Sequence, residues 1–216
     1  MKKFTFILFL SMMSSTLLLA QGSSRFNIDI GAKLGANFNR VDGDYWDNGY
    51  KANLMAGAYV PLNTSRWGVQ IEPLFTQSTF STGNGFSDLY KDFYQMGKDS
   101  VVNGKFKVNY YNVPIMLNLK LFSKVWLQVG PQFSGTISVK DPDNLMDDAE
   151  AFFKNSMISA VGGLWINLPA NLTISGRYVI GLNNLNGNSS YIQHNQNVSD
   201  NWKQRLLQVG IGYTFF

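Results

Sequence analysis

The sequence predicts an all-β fold: an eight-stranded, antiparallel, up-and-down transmembrane β-barrel with short turns at one end and long loops at the other. Three observations predict it. Apolar residues recur with period two over unusually long segments. The connections between these segments alternate between short and long. The chain opens with an export address. The 216 residues include 16 Phe, 10 Tyr and 5 Trp, enough to build one packed domain rather than a disordered chain. No cysteine is present, which excludes a disulfide scaffold, a thiol enzyme and a cysteine-based zinc site.

Residues 1–20 read as a cleaved signal peptide. Lys2 and Lys3 precede the apolar run from Phe4 to Ala20, and the chain turns polar at Gln21. That run of about 17 residues sits at the lower limit for crossing a bilayer, and no stop-transfer flank follows. Cleavage is expected after Ala20, leaving 21–216 as the barrel domain. The formal charge of +4 then falls to 16 basic against 14 acidic residues, so no nucleic-acid partner is inferred.

The first strand alternates without error. Phe26, Ile28, Ile30, Ala32, Leu34, Ala36 and Phe38 stand between Asn27, Asp29, Gly31, Lys33, Gly35, Asn37 and Asn39. Soluble strands average about 5–6 residues, whereas a tilted membrane strand needs roughly 9–11. From Phe26 to Phe38, ~12 steps of about 3.3 Å at a ~45° tilt span roughly 28 Å, close to the apolar band between two aromatic girdles. The second strand carries Tyr50 to Val60, the third Trp67 to Phe75, the fourth Tyr111 to Leu119 and the fifth Val125 to Ile137. A weaker sixth covers Ile158 to Ile166, the seventh Leu172 to Leu182 and the eighth Leu207 to Phe215. Short connections at 61–66, 121–124 and 169–171 alternate with long ones at 40–49, 81–105, 140–155 and 183–203. Outer-membrane barrels show this rhythm, with turns in the periplasm and loops outside. A soluble carrier barrel would turn its polar face outward around an apolar calyx. Here the second face, rich in Gln, Asn, Ser, Thr and Gly with Glu, Arg and Lys, suits a filled polar lumen.

Six segments in order resemble the PorT-like, porin-labelled outer-membrane β-barrel family of Bacteroidota-type bacteria. FNIDIGAKLGANFNRV resembles its Gly-rich opening. VQIEPLF resembles its acidic-residue-bearing strand, with Pro73 after Glu72 where the family more often has Leu. YYNVPIMLNLK, VWLQVGPQFS and ISGRYVIGLNNL resemble its Tyr-x-x-Val-Pro, Gly-Pro and Arg-Tyr-x-x-Gly-Leu elements, and the terminal Tyr213-Thr214-Phe215 its Tyr-x-Phe, with Phe216 added. The resemblance implies an outer-membrane location, and for some members assistance to secretion.

Glu72 and Arg177 are the charges that stand out. The third and seventh strands of an eight-strand barrel lie across the lumen from each other, and such a lumen is only wide enough for side chains to fill. Buried charges are costly unless paired, so Glu72, Arg177, Asp29 and Lys33 are expected to form a lumen polar cluster. The only histidine, His194, lies in a polar loop near Ser189 and Ser190, without a nucleophile elbow. Asp141, Asp143, Asp147, Asp148 and Glu150 crowd one loop, but Leu145 interrupts any calcium-loop pattern. Phe86, Leu89, Tyr90, Phe93 and Tyr94 share one face of a short helix, a surface that either packs over the rim or docks a protein or glycan. No cofactor, metal or catalytic set is expected. The leading functional expectation is a non-enzymatic structural or interaction protein that contacts outer-membrane lipid and lipopolysaccharide and assists export through a secretion-system or surface protein. The alternative is a narrow channel for ions or very small solutes. A lipid-modifying enzyme is a third class, without a constellation to support it.

Overall fold

The computed structural model describes residues 27–43, 46–84, 86, 104–143, 153–185 and 202–215. Ten strands follow one another: β1 Asn27–Ile28, β2 Gly31–Asp42, β3 Lys51–Asn63, β4 Trp67–Ile71, β5 Leu74–Ser81, β6 Lys105–Lys120, β7 Val125–Lys140, β8 Ser156–Asn167, β9 Leu172–Gly181 and β10 Lys203–Thr214. They make eight staves, because two staves are each interrupted opposite or at a proline. Asn27 faces Asn63 and Gly31 faces Tyr59, so β1 and β2 keep a single register on β3. Between them the Asp29 N–H donates to the carbonyl of Pro61, a residue with no N–H to return. Likewise β4 and β5 share a register on β3, Val60 with Ile71 and Gly57 with Leu74, and break only at Glu72 and Pro73.

Every neighbouring pair is antiparallel, and β10 closes the ring on β2 from Lys203↔Asp42 to Thr214↔Gly31. Closure leaves no unpaired edge, the condition for a sheet to stand in lipid. The β8–β9 turn is made tight by two consecutive residues in the left-handed region, Ala170 (φ 59°) and Asn171 (φ 58°), whose backbone twist matches that of the flanking strands.

Across the middle of the barrel the faces sort by period two. Leu34, Leu54, Phe75, Ile115, Leu164, Ile174 and Ile211 point outward, and Leu54 is 79% exposed. Their neighbours Lys33, Asn53, Gln70, Glu72, Asn112, Gln128, Ser175, Arg177 and Gln208 are buried in the lumen.

The lumen is not polar throughout, and this corrects the expectation. Near the long loops the pattern inverts. On β6, Phe106, Val108 and Tyr110 turn inward while Lys105 and Lys107 turn out. They join Val41, Trp46, Phe80, Phe86, Phe153, Met157, Leu185 and Trp202 in one buried apolar cluster that plugs this end. The sequence reading missed it because β5, β6 and β7 run beyond the apolar-out segments, through stretches it gave to neither a strand nor a loop. Trp46 enters from the first loop, bridged to Thr82, and packs edge-on against Phe86 and Trp202 at 5.1 Å each. Such T-shaped pairs add to the burial of their large apolar area.

Candidate functional site

The inward positions of β2, β4, β7 and β9 converge on one ionic centre. Arg177 approaches Glu72 bidentately: its Nη1 donates to Oε2 at 2.6 Å and its Nη2 to Oε1. Lys33 Nζ donates to the same Oε2 at 3.3 Å. All three side chains are at most 1% exposed. The planar guanidinium fork matches a carboxylate in a way a lysine ammonium does not, so the arrangement fixes both orientation and charge.

A shell of amides completes the centre. Arg177 Nε donates to Gln128 Oε1 at 3.0 Å, and Gln70 Nε2 donates to Glu72 Oε1. Gln128 Nε2 in turn donates to Asn118 Oδ1 at 2.8 Å, and Asn118 Nδ2 to Gln70 Oε1 at 3.1 Å. The Trp165 ring lies under both cations, 5.3 Å from Lys33 Nζ and 5.8 Å from the Arg177 guanidinium carbon. Gly163 gives Arg177 its room, since a β-carbon there would stand 2.3 Å from the Gly176 carbonyl oxygen and 2.7 Å from Arg177 itself. Sequence reasoning named the three charges but missed Gln70, Gln128, Trp165 and Gly163. Their signal was present in the inward register of each strand.

Asp29 does not join this cluster. It lies before the start of β2, on the wall of a cavity at the short-turn end, away from Glu72 and Arg177. Of the two readings for the face that includes Phe86, packing holds for Phe86 and docking does not, since it is fully buried in the apolar plug. Leu89, Tyr90, Phe93 and Tyr94 lie outside the described residues, as do His194, Asp147, Asp148 and Glu150. Asp143 accepts the Lys105 N–H at 2.9 Å, an ordinary loop contact. Among the described residues no group of three or more His, Asp or Glu is placed to hold a metal ion.

Comparison with known proteins agrees with this architecture. A family model described as "Outer membrane protein beta-barrel domain" matches residues 19–187. Similar solved structures include Ail of Yersinia pestis in complex with the heparin analogue sucrose octasulfate, at 16% identity, TM-score 0.48, over 88% of this chain and 99% of that one. Neisserial surface protein A is similar at 13% identity and TM-score 0.48, over 90% and 100% of the two chains. A major outer membrane protein from Thermus thermophilus is similar at 14% identity and TM-score 0.49, over 87% and 99%. No curated protein matches significantly. With most of its length covered by that family model and its strands closed into a ring of eight, the chain belongs to the outer membrane protein β-barrel family and resides in the outer membrane.

Proposed function

We propose that this barrel is a non-enzymatic structural and interaction protein whose lumen is closed to solute flow. The observation that carries the reading is that the lumen is occupied at successive levels. The apolar plug sits at the long-loop end, and the Glu72–Arg177–Lys33 centre with its amide shell sits below it. Eight staves leave an interior that side chains can fill, and at these two levels they do. Without a conduction path, what the barrel offers its surroundings is its loops and its lipid-facing wall. That suits a scaffold which contacts lipopolysaccharide and a secretion-system or surface protein, in keeping with the PorT-like motifs of the sequence. Export would follow cleavage after Ala20, which mass spectrometry of the mature protein checks.

Planar-bilayer recording of the refolded protein tests the closed lumen. Flat current traces are expected up to the voltage at which the bilayer itself fails. Unitary steps of a defined size would overturn the reading in favour of a narrow channel.

A further inference from the structure

Below the ionic centre the barrel is not filled. The short-turn end holds a cavity of about 320 Å³. In an outer-membrane barrel this end faces the periplasm. Its size is that of a small-ligand pocket, and its walls combine the two elements such pockets use: aromatic surface and a few convergent polar groups. Tyr59, Trp126 and Trp165 supply the first. Tyr59 is locked by a 2.8 Å hydrogen bond to Thr214 and by an edge-on contact with Trp165 at 4.9 Å, so these walls are preformed.

The polar groups have capacity to spare. Asn63 and Asn167 each use the side-chain carbonyl, accepting from Asn118 Nδ2 and Trp165 Nε1, which leaves their N–H groups for another partner. Thr173 is only 4% exposed, lines the cavity, and its Oγ1 has no hydrogen-bond partner among the described residues. A buried hydroxyl in that state costs stability unless a water or a ligand satisfies it. Asp29 adds a strong acceptor.

Charge narrows the class of occupant. Among the described residues no Lys or Arg lines the cavity, which disfavours an anion. The layer above carries Lys33 and Arg177 against Glu72 alone, a net positive charge that disfavours a cation. The interleaved amides and hydroxyl disfavour a purely apolar guest. What remains is a neutral ring with an apolar face and a rim of hydroxyls that both donate and accept. We infer that this periplasmic cavity is a binding site for a neutral saccharide, stacked on the aromatic walls and hydrogen-bonded by Asp29, Asn63, Asn167 and Thr173. The site is independent of whether the lumen conducts.

The test is tryptophan fluorescence of the full barrel, refolded in a zwitterionic detergent that carries no sugar headgroup. The probes are N-acetylglucosamine, maltose and tetramethylammonium. A saturable response to at least one sugar is expected, with none to the ammonium ion. Asp29→Asn and Thr173→Val, which keep the shape of the cavity, are each expected to weaken binding several-fold, and Trp126→Ala about tenfold, with Trp165 still reporting. Trp202→Phe, in the opposite plug, should leave it unchanged. Should Trp126→Ala fail to shift on boiling in a gel, the two conservative variants decide alone. No saturation by either sugar, a response to tetramethylammonium instead, or sugar binding indifferent to Asp29→Asn and Thr173→Val would each overturn the assignment.

Discussion

The two halves of this barrel are built on opposite plans. Within the bilayer the staves turn apolar residues out and polar ones in, as with Leu117 and Leu119 against Asn118. Above it the same stave turns Lys105 and Lys107 out and Phe106 and Val108 in, the plan of a water-soluble protein. The outward charges there pair across neighbouring segments: Arg205 with Asp42 at 2.8 Å, and Lys51 with Asp47 at 2.8 Å. The inversion shows that the solvent outside a stave decides which face is polar, while the narrow lumen demands only that its contents be satisfied. An apolar plug meets that demand by close packing, and an ionic centre meets it by bringing Arg177 and Lys33 onto Glu72. The first tolerates change in shape; the second does not.

Breaking the ionic centre should have the largest effect. Glu72→Ala leaves Lys33 and Arg177 buried without their anion, and the cost is expected to be about 3–5 kcal/mol, or failure to refold. Urea titration of the protein in lipid vesicles measures it. A charged residue on the lipid face comes next: Leu54→Arg should cost about 2–4 kcal/mol for a position near the midplane, by the same titration.

Conservative swaps sharpen the contrast between the halves. Arg177→Lys keeps the charge but loses the fork to Glu72 and the bond to Gln128, and should cost about 2 kcal/mol. Phe106→Leu, in the plug, should cost about 1 kcal/mol, because neighbouring aromatics can close around it. Equal losses for the two would refute the distinction between packed and paired lumen layers.

The smallest effect concerns Asp47. A hydrogen bond from Lys51, and then one from the Gly49 N–H, hold its carboxyl below the ordinary value of 3.8. A depressed folded value means that its contribution is present above the unfolded value and fades as pH falls through the folded one. The pair is solvent-exposed, so Asp47→Asn should cost a few tenths of a kcal/mol at neutral pH and nothing in strong acid. Melting temperatures of the two proteins at both pH values compare them.

The staves and their faces were legible in the sequence because period two is a local property. Lys33, Gln70, Glu72 and Arg177 each sit at an inward position that the alternation alone specifies. Pro61 and Pro73 also carry a local message, a missing donor, which explains why two staves are written as two strands apiece. The plug was not legible. There the alternation continues with its sense reversed, and nothing local says whether Phe106 faces lumen or lipid until the height of the bilayer along the stave is known. The position of Asp29 was illegible for a related reason: sharing the inward face with Lys33 does not fix where along the lumen each side chain lies.

By itself, then, the sequence determined an alternating chain with an export address and turns that permit antiparallel closure, since these depend on near neighbours. The tertiary structure decided which inward residues meet. Contacts such as Arg177 with Glu72, 105 positions apart, depend on the stagger of all eight staves, and so do the depth of the plug and the open space beneath Trp165. Stagger is a property of the closed ring, to which no single strand commits in advance.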